Sequence, residues 1–316
     1  MTRILVLGGT GFVGRAVCER LTQRSSSHRI RVPTRRLARG QGVQLLPTVD
    51  LVQAQVHDDA QLQQLVQGVD GVINLIAILH GNEADFQRVH VELPSRLVNA
   101  CHGAGVKRLV HVSALGASAG APSRYLRSKA AGEAVLATSG LDVTVLRPSV
   151  IFGSHDRFLN LFAQLQAVAP VMPLAGAQAR LQPVWVEDVA QAIVHALDAP
   201  ATIGQTFECA GPQVYTLSQL VHLAGQWSGH DRPQWSLPHW AGWLQAAAME
   251  CLPGEPLMSR DNLASLAVPN VASGHAPDLR AIGITPTAME CVAPRYLADL
   301  FLRPDLDRFR AGRGGR

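Results

Sequence analysis

Short, wholly apolar runs alternate in the first half of the chain with segments whose apolar residues return every three or four positions. Residues 4–7 are such a run, closed by Gly8 and Gly9, and predict a buried parallel strand. The pattern then predicts a helix over 14–23 and a strand over 29–33 that stops at Pro33. It continues with a strand over 50–54, a helix over 59–67 and a strand over 71–79. Val89, Leu93, Leu97 and Ala100 mark one face of a long helix predicted over 86–104, stopped by Gly105. A strand over 108–113, a helix over 125–139 ended by Gly140, and a strand over 142–147 closed by Pro148 complete the series.

Strands that alternate with helices build βαβ units, and right-handed crossovers wind these into a doubly wound sheet. The expected fold is therefore α/β, a Rossmann-type doubly wound parallel sheet with a smaller C-terminal α/β lobe. After Pro148 the rhythm changes: Pro and Trp become frequent between Pro170 and Pro256, and strand signals weaken. The expected division is a nucleotide-binding domain over 1–156 with a return at 183–198, a lobe over 157–302, and a basic flexible tail over 303–316. Trp240, Trp243 and Leu244 read either as lobe core or as an apolar run on the lobe's outside.

Composition narrows the function classes. No apolar run reaches the roughly 18 residues of a membrane span, and residues 3–7 already begin the first strand, so a cytoplasmic protein is the expectation. Five dispersed cysteines without a CxxC pair, and histidines equally scattered, predict reduced thiols and no metal site. His111, in an apolar strand, reads as a satisfied structural residue. The net charge is +4, but residues from Arg303 onward hold five Arg and two Asp, hence +3, leaving +1 for the body. No nucleic-acid footprint is expected.

Gly8, Gly11 and Gly14 form GxxGxxG directly after a strand and at the opening of a helix. The first permits a tight turn, the second a close approach of a pyrophosphate, the third close helix packing, and the helix N-terminus adds free amides and a positive dipole end. Gly8, Thr10, Gly11, Phe12, Val13 and Gly14 are the expected dinucleotide cradle. At the end of the second strand, where NAD binders place a carboxylate, the chain reads Pro33-Thr34-Arg35-Arg36. Two guanidinium groups suit a 2′-phosphate, so NADP(H) is favoured over NAD(H); solvated surface charge is the competing reading. Asp58 is expected at the adenine and Asp59 as a helix cap. Leu75, Ile76 and Ala77 should pass the cofactor, and Val112 and Ser113 should face its nicotinamide end.

Tyr125 and Lys129 stand at i and i+4 and so share a helix face. An ammonium beside a phenol is expected to lower the phenol's pKa and fit it for proton transfer. Ser113 would hydrogen-bond a substrate oxygen, and Lys129 would also reach the ribose of the nicotinamide. With 28 cations of which only Lys107 and Lys129 are Lys, the lysine looks chosen for its compact, tunable ammonium. An ordinary exposed helix face is the alternative.

With these residues assembled, the chain resembles the short-chain dehydrogenase/reductase superfamily, in its extended and atypical branches. The residues that carry the resemblance are the glycine turn, Ser113, Tyr125 with Lys129, and Leu146-Arg147-Pro148-Ser149. Within it, the stretches around Val106–Ala117, Tyr125–Glu133, Pro148–Gly153 with Asp156, Val186–Ala190 and Met258–Leu263 are most similar to the nucleotide-binding accessory subunit of respiratory complex I and its bacterial relatives. The resemblance implies bound NADP(H), with Pro148 and Val150 added to the cofactor contacts. It leaves two principal readings. One is an oxidoreductase or epimerase/dehydratase-like enzyme on a small carbonyl or hydroxyl compound, using Ser113, Tyr125 and Lys129. The other is a nucleotide-bound scaffold or accessory protein, quinone-linked, in contact with a protein complex or peripheral to the inner membrane. A sensor of the NADPH/NADP⁺ ratio is a third.

Overall fold

A computed structural model describes residues 2–251, 254 and 256–300. The tail anticipated at 303–316 lies outside the described residues. The chain forms two units. Among the described residues, the first comprises 2–149, Val186–Ala210 and Ala272–Pro286; the second comprises Val150–Trp185, Gly211–Val271 and 287–300.

The first unit is a seven-stranded parallel sheet. Its strands are β1 (Arg3–Leu7), β2 (Arg29–Thr34), β3 (Val49–Gln53), β4 (Gly71–Asn74), β5 (Arg108–Val112), β6 (Asp142–Pro148) and β7 (Thr206–Cys209). They lie in the order β7-β6-β5-β4-β1-β2-β3, every neighbour parallel. Helices α1 (Phe12–Arg24), α2 (Asp59–Val66), α3 (Glu83–Gln87), α4 (Leu93–Ala104), α5 (Arg124–Ala137) and α6 (Val186–Asp198) flank it. Strands covered on both faces need apolar side chains on both, which is why the central runs read as continuous: Leu5, Val6, Val72, Ile73, Leu109 and Val110 are fully buried. The order reverses between β1 and β4, where a doubly wound sheet opens its ligand crevice.

Three elements differ from expectation for local reasons. Strand β4 stops at Asn74 instead of running to Leu79, because the Asn74 side chain accepts the Ile76 amide at 3.2 Å and turns the chain. The predicted helix over 86–104 begins earlier, at Glu83, under a reciprocal Asn82/Asp85 cap. It then widens into a π-turn over Arg88–Glu92 before α4. Pro94 lacks the N–H that a regular helix would donate to the His90 carbonyl. Strand β7 escaped notice because it is four residues long and carries Glu208 in its middle. That buried carboxylate is satisfied by the Ser273 amide at 2.6 Å and hydroxyl at 3.0 Å. At the other end of the strands, Arg108 of β5 donates to Thr144 of β6 at 2.7 Å and to Thr202 at 3.0 Å.

The second unit has a core of its own. Helices Leu159–Val168 and Leu217–Ser228 contribute Leu159, Ala163, Leu220 and Val221, joined by Phe152, Leu174, Leu181 and Leu297. Three two-stranded pairs frame it, the longest being Met172–Ala175 with Gln234–Leu237. Helix His239–Glu250 buries Gly242 and Ala246, and a Cβ on Gly242 would lie 2.6 Å from that of Ala175. Its opposite side leaves Trp240, Trp243 and Leu244 exposed by 67%, 44% and 55%, so these residues are not core. Among the described residues no helix is long and apolar enough to cross a membrane.

Candidate functional site

The carboxyl edge of the sheet gathers most of the residues singled out above. After β1 the chain turns at Gly8, whose φ of +83° suits glycine. Gly11 donates back to the Gly8 carbonyl at 3.0 Å. A Cβ on Gly14 would lie 2.3 Å from that carbonyl oxygen and 2.5 Å from the Gly9 Cα, so α1 seats against the turn only with glycine there. Gly11 begins α1 without any side-chain cap, and the first turn, with Phe12 and Val13, holds no acid. A helix start left without a side-chain partner fits an anionic pyrophosphate. The turn abuts the segment after β4: a Cβ on Gly8 would lie 3.3 Å from the Ile76 nitrogen and the Leu75 carbonyl carbon. Leu75 and Ile76 are half-buried there, Thr10 is half-buried in the turn, and Ala77 is exposed.

At the end of β2 the Thr34 hydroxyl donates to the Arg36 carbonyl at 3.0 Å, folding the chain so that Arg35 and Arg36 stand exposed. Neither guanidinium joins an ion pair among the described residues. Burial and the nearby guanidinium groups of Arg88, Arg96 and Arg35 hold His57 below its ordinary pKa, a sign of positive field at this end. Arg15, which follows Gly14 directly, lies across Gly42; a Cβ there would fall 1.7 Å from its Nη2. The helix after β3 is capped by Asp58, which accepts the Gln61 amide at 2.9 Å, and not by Asp59, which pairs with Arg96 at 3.0 Å. Asp58 thus already has one oxygen committed.

On the other side of the crevice the groups are buried. The Ser113 hydroxyl, directly after β5, is buried with no hydrogen-bond partner among the described residues. Lys129 is 2% exposed and its Nζ donates to the Val112 carbonyl at 3.0 Å. Burial drives its pKa down to about 8, against the pull of Glu133 one turn on. Glu133 in turn is gripped at both oxygens by Arg147 of β6. Tyr125 does not have the lowered pKa expected from its lysine neighbour: burial pushes it up to about 12. Desolvation prevails here, and the ammonium is directed at a backbone carbonyl. Its ring meets those of Phe86 and His90, with centroids 6.3 Å and 5.6 Å away. Pro148 closes β6 as a buried residue, its carbonyl accepting the Leu115 amide at 2.9 Å. Val150 belongs to the second unit.

Several residues at this edge escaped the sequence reading. Asn74 binds Ile76 through one atom and approaches the His111 Nδ1 at 3.2 Å through the other. His111 is therefore only half satisfied, its Nε2 being buried without a partner. His90 accepts the Ile78 amide at 3.1 Å and meets the Ser128 hydroxyl at 2.8 Å. A polar Asn inside the apolar run 71–79, and a Pro inside a helical pattern, were the available signals. Among the described residues no group of His, Cys, Asp or Glu is placed to hold a metal ion.

Comparison with known proteins agrees with this geometry. Residues 4–210, the span from β1 to just past β7, match the model of the NAD dependent epimerase/dehydratase family. The chain is 33% identical over 301 residues to NADH dehydrogenase (ubiquinone) 1 alpha subcomplex subunit 9, mitochondrial, of Rattus norvegicus, covering 90% of this chain and 77% of that protein. Its fold is similar to that of the NADPH-dependent quinone oxidoreductase QOR2 of Escherichia coli, solved with NADPH, at a TM-score of 0.73 and 22% identity over 94% of this chain and 99% of that one. It is equally similar to DesIV, a dTDP-glucose 4,6-dehydratase of Streptomyces venezuelae solved with NAD, at a TM-score of 0.73 and 20% identity over 94% and 96% of the two chains. A parallel sheet reversing at a glycine turn, and a match running through every strand of that sheet, lead to one conclusion: the chain belongs to the NAD dependent epimerase/dehydratase family.

Proposed function

We propose that the chain is an NADP(H)-dependent oxidoreductase that reduces a small carbonyl compound at the buried side of the crevice. The observation that carries this reading is the Ser113 hydroxyl, buried at a strand end with no partner. A buried hydroxyl left unpaired is costly, and a substrate oxygen would satisfy it. NADP(H) rather than NAD(H) is read from Arg35 and Arg36, two exposed guanidinium groups without an ion pair where a 2′-phosphate would lie. The turn from Gly8 to Gly14, with Leu75, Ile76, Ala77, Val112 and Pro148, would hold the rest of the dinucleotide.

The nicotinamide supplies the hydride. The protein's part is to place and protonate the substrate oxygen. Ser113 holds it by a hydrogen bond. Tyr125, which keeps its proton at neutral pH because burial raises its pKa, donates that proton as the carbonyl becomes an alcohol. Lys129 spends one N–H on Val112 and has two others, for a ribose hydroxyl and for the phenolate left on Tyr125. In the purified protein, reduced nicotinamide should be consumed in the presence of quinone or ketone acceptors. Tyr125→Phe should slow this by about 10²–10⁴-fold with unchanged NADPH affinity; an unchanged rate removes Tyr125 from the mechanism.

A second reading is favoured by the exposed Trp240, Trp243 and Leu244 and by the relative that bears the name of a respiratory subunit. In it the nucleotide is kept rather than consumed, and the tryptophan face docks on a respiratory protein complex. Co-purification with such a complex that Trp240→Glu abolishes, with no nucleotide turnover by the wild type, would replace the first reading by this one.

A further inference from the structure

We propose that His90 is a positioning residue: its imidazole, fixed as the Nδ1–H tautomer, bridges the loop after β4 to helix α5 and sets the place of the Tyr125 ring. The bond directions leave one arrangement. The Ile78 amide, 3.1 Å from Nε2, can only donate, so Nε2 carries the lone pair. Nδ1 therefore carries the proton and donates to Ser128 Oγ at 2.8 Å. The Ser128 hydroxyl then donates its own hydrogen bond to the Tyr125 carbonyl, 2.8 Å away. The three bonds run head to tail from Ile78 through His90 and Ser128 to the backbone of Tyr125. The same imidazole packs edge-on against the Tyr125 ring, so it fixes both backbone and ring of that residue.

The helix is deformed so that His90 reaches this far. It lies in the π-turn Arg88–Glu92, a distortion often found where a side chain is re-aimed. Pro94 frees the His90 carbonyl, and Gly132 of α5 gives it room: a Cβ at Gly132 would lie 2.0 Å from that oxygen. Two helices brought this close put His90 beside Ser128. Burial, and Lys129 nearby, keep the imidazole neutral, its pKa near 3, so the tautomer holds at any ordinary pH. The inference rests on the reading of Tyr125 as proton donor and of the loop after β4 as a cofactor contact.

Two substitutions cut the bridge at different points. In His90→Asn the side-chain amide nitrogen stands where Nδ1 stood and keeps Ser128, but cannot reach Ile78. In His90→Gln the side-chain oxygen stands where Nε2 stood and keeps Ile78, but loses Ser128. The chain has three tyrosines, so 3-fluorotyrosine labelling of the full protein gives three resonances, with Tyr125 assigned through Tyr125→Phe. His90→Asn should speed hydrogen exchange at the Ile78 amide and weaken NADPH binding, each about tenfold, the loss of one hydrogen bond to a buried group. His90→Gln should displace the Tyr125 resonance and lower turnover about tenfold or more, as for a slightly misplaced catalytic group, with NADPH affinity held. Ser128→Ala should repeat the His90→Gln result without touching His90. The Tyr215 and Tyr296 resonances, in the second unit, report that each variant is folded. Unmoved Ile78 exchange and Tyr125 resonance overturn the proposal, and so does an identical response of both His90 variants. These readouts need no turnover, so they decide it even if the chain proves to have no reductase activity.

Discussion

Around the glycine turn and the end of β2, position is set by the backbone. Glycines allow the close approaches, helix α1 offers bare amides, and the charged groups, Arg35 and Arg36, stand in solvent. Across the crevice, along β4, β5, α5 and the π-turn before α4, position is set by buried side chains: Asn74, His90, His111, Ser113 and Lys129 are each less than 5% exposed. The first region presents itself to a ligand that brings its own charge. The second suits the proposed step, in which a proton would move in a place that excludes water. Both regions exclude a methyl group where backbones meet, at Gly14 against the turn and at Gly132 against the His90 carbonyl.

Four experiments test this contrast, beginning with the largest effect. Gly14→Val drives a side chain into the turn backbone, where no rotamer change relieves it. NADPH affinity, read by nucleotide fluorescence, should fall about a thousandfold, roughly 4 kcal/mol. Lys129→Met addresses the buried side. The folded-state pKa near 8 lies below the ordinary 10.5, so between these values the unfolded chain holds a proton that the folded one has released. Wild-type stability should therefore rise relative to the variant as pH climbs from 8 to 10.5, by about 3 kcal/mol in all. Denaturant melts of both proteins across that range would show a flat difference if Lys129 is not buried as a cation. On the proposed reading, replacing Arg35 and Arg36 together by Ser should weaken NADPH by about tenfold to a hundredfold and leave NADH unchanged, and the proposed preference for NADPH should shrink as salt is raised. Asp58→Ala, at the cap of α2, should lower stability by about 1 kcal/mol, whereas Asp59→Ala should cost only a few tenths; equal losses would return the cap to Asp59.

The same contrast explains what could be read from the chain before its structure. A turn that needs glycine at Gly8 and Gly14 is a local requirement that leaves its mark within a few residues. The sheet's centre was legible because strands buried on both faces cannot hide their composition. His90, Ser128 and Asn74 were not legible because each owes its role to a partner 37 or 38 positions away, across elements whose spacing only the folded chain sets. Tyr125 was found by its spacing from Lys129, yet its pKa went the other way. Spacing tells which groups share a face, while the surrounding medium decides whether charge attraction or loss of water prevails. Strand β7 was missed for a simpler reason: four residues with a glutamate among them do not alternate long enough to be told from a loop.

That late strand carries a consequence for how the chain assembles. The partner that closes β6 is made at Thr206–Cys209, after the intervening stretch Val150–Trp185 has been synthesised, and the segment that satisfies Glu208 comes later still, at Ser273. The sheet's outer edge is thus a long-range closure, Val145 to Thr206, comparable in span with the pairing of Ile4 with Gly71, and closures of this kind come late and slowly. Until then β6 is an open edge, able to pair with another chain. A growing or truncated chain that ends before Thr206 should be recognised by its tendency to associate rather than by any loss at the glycine turn.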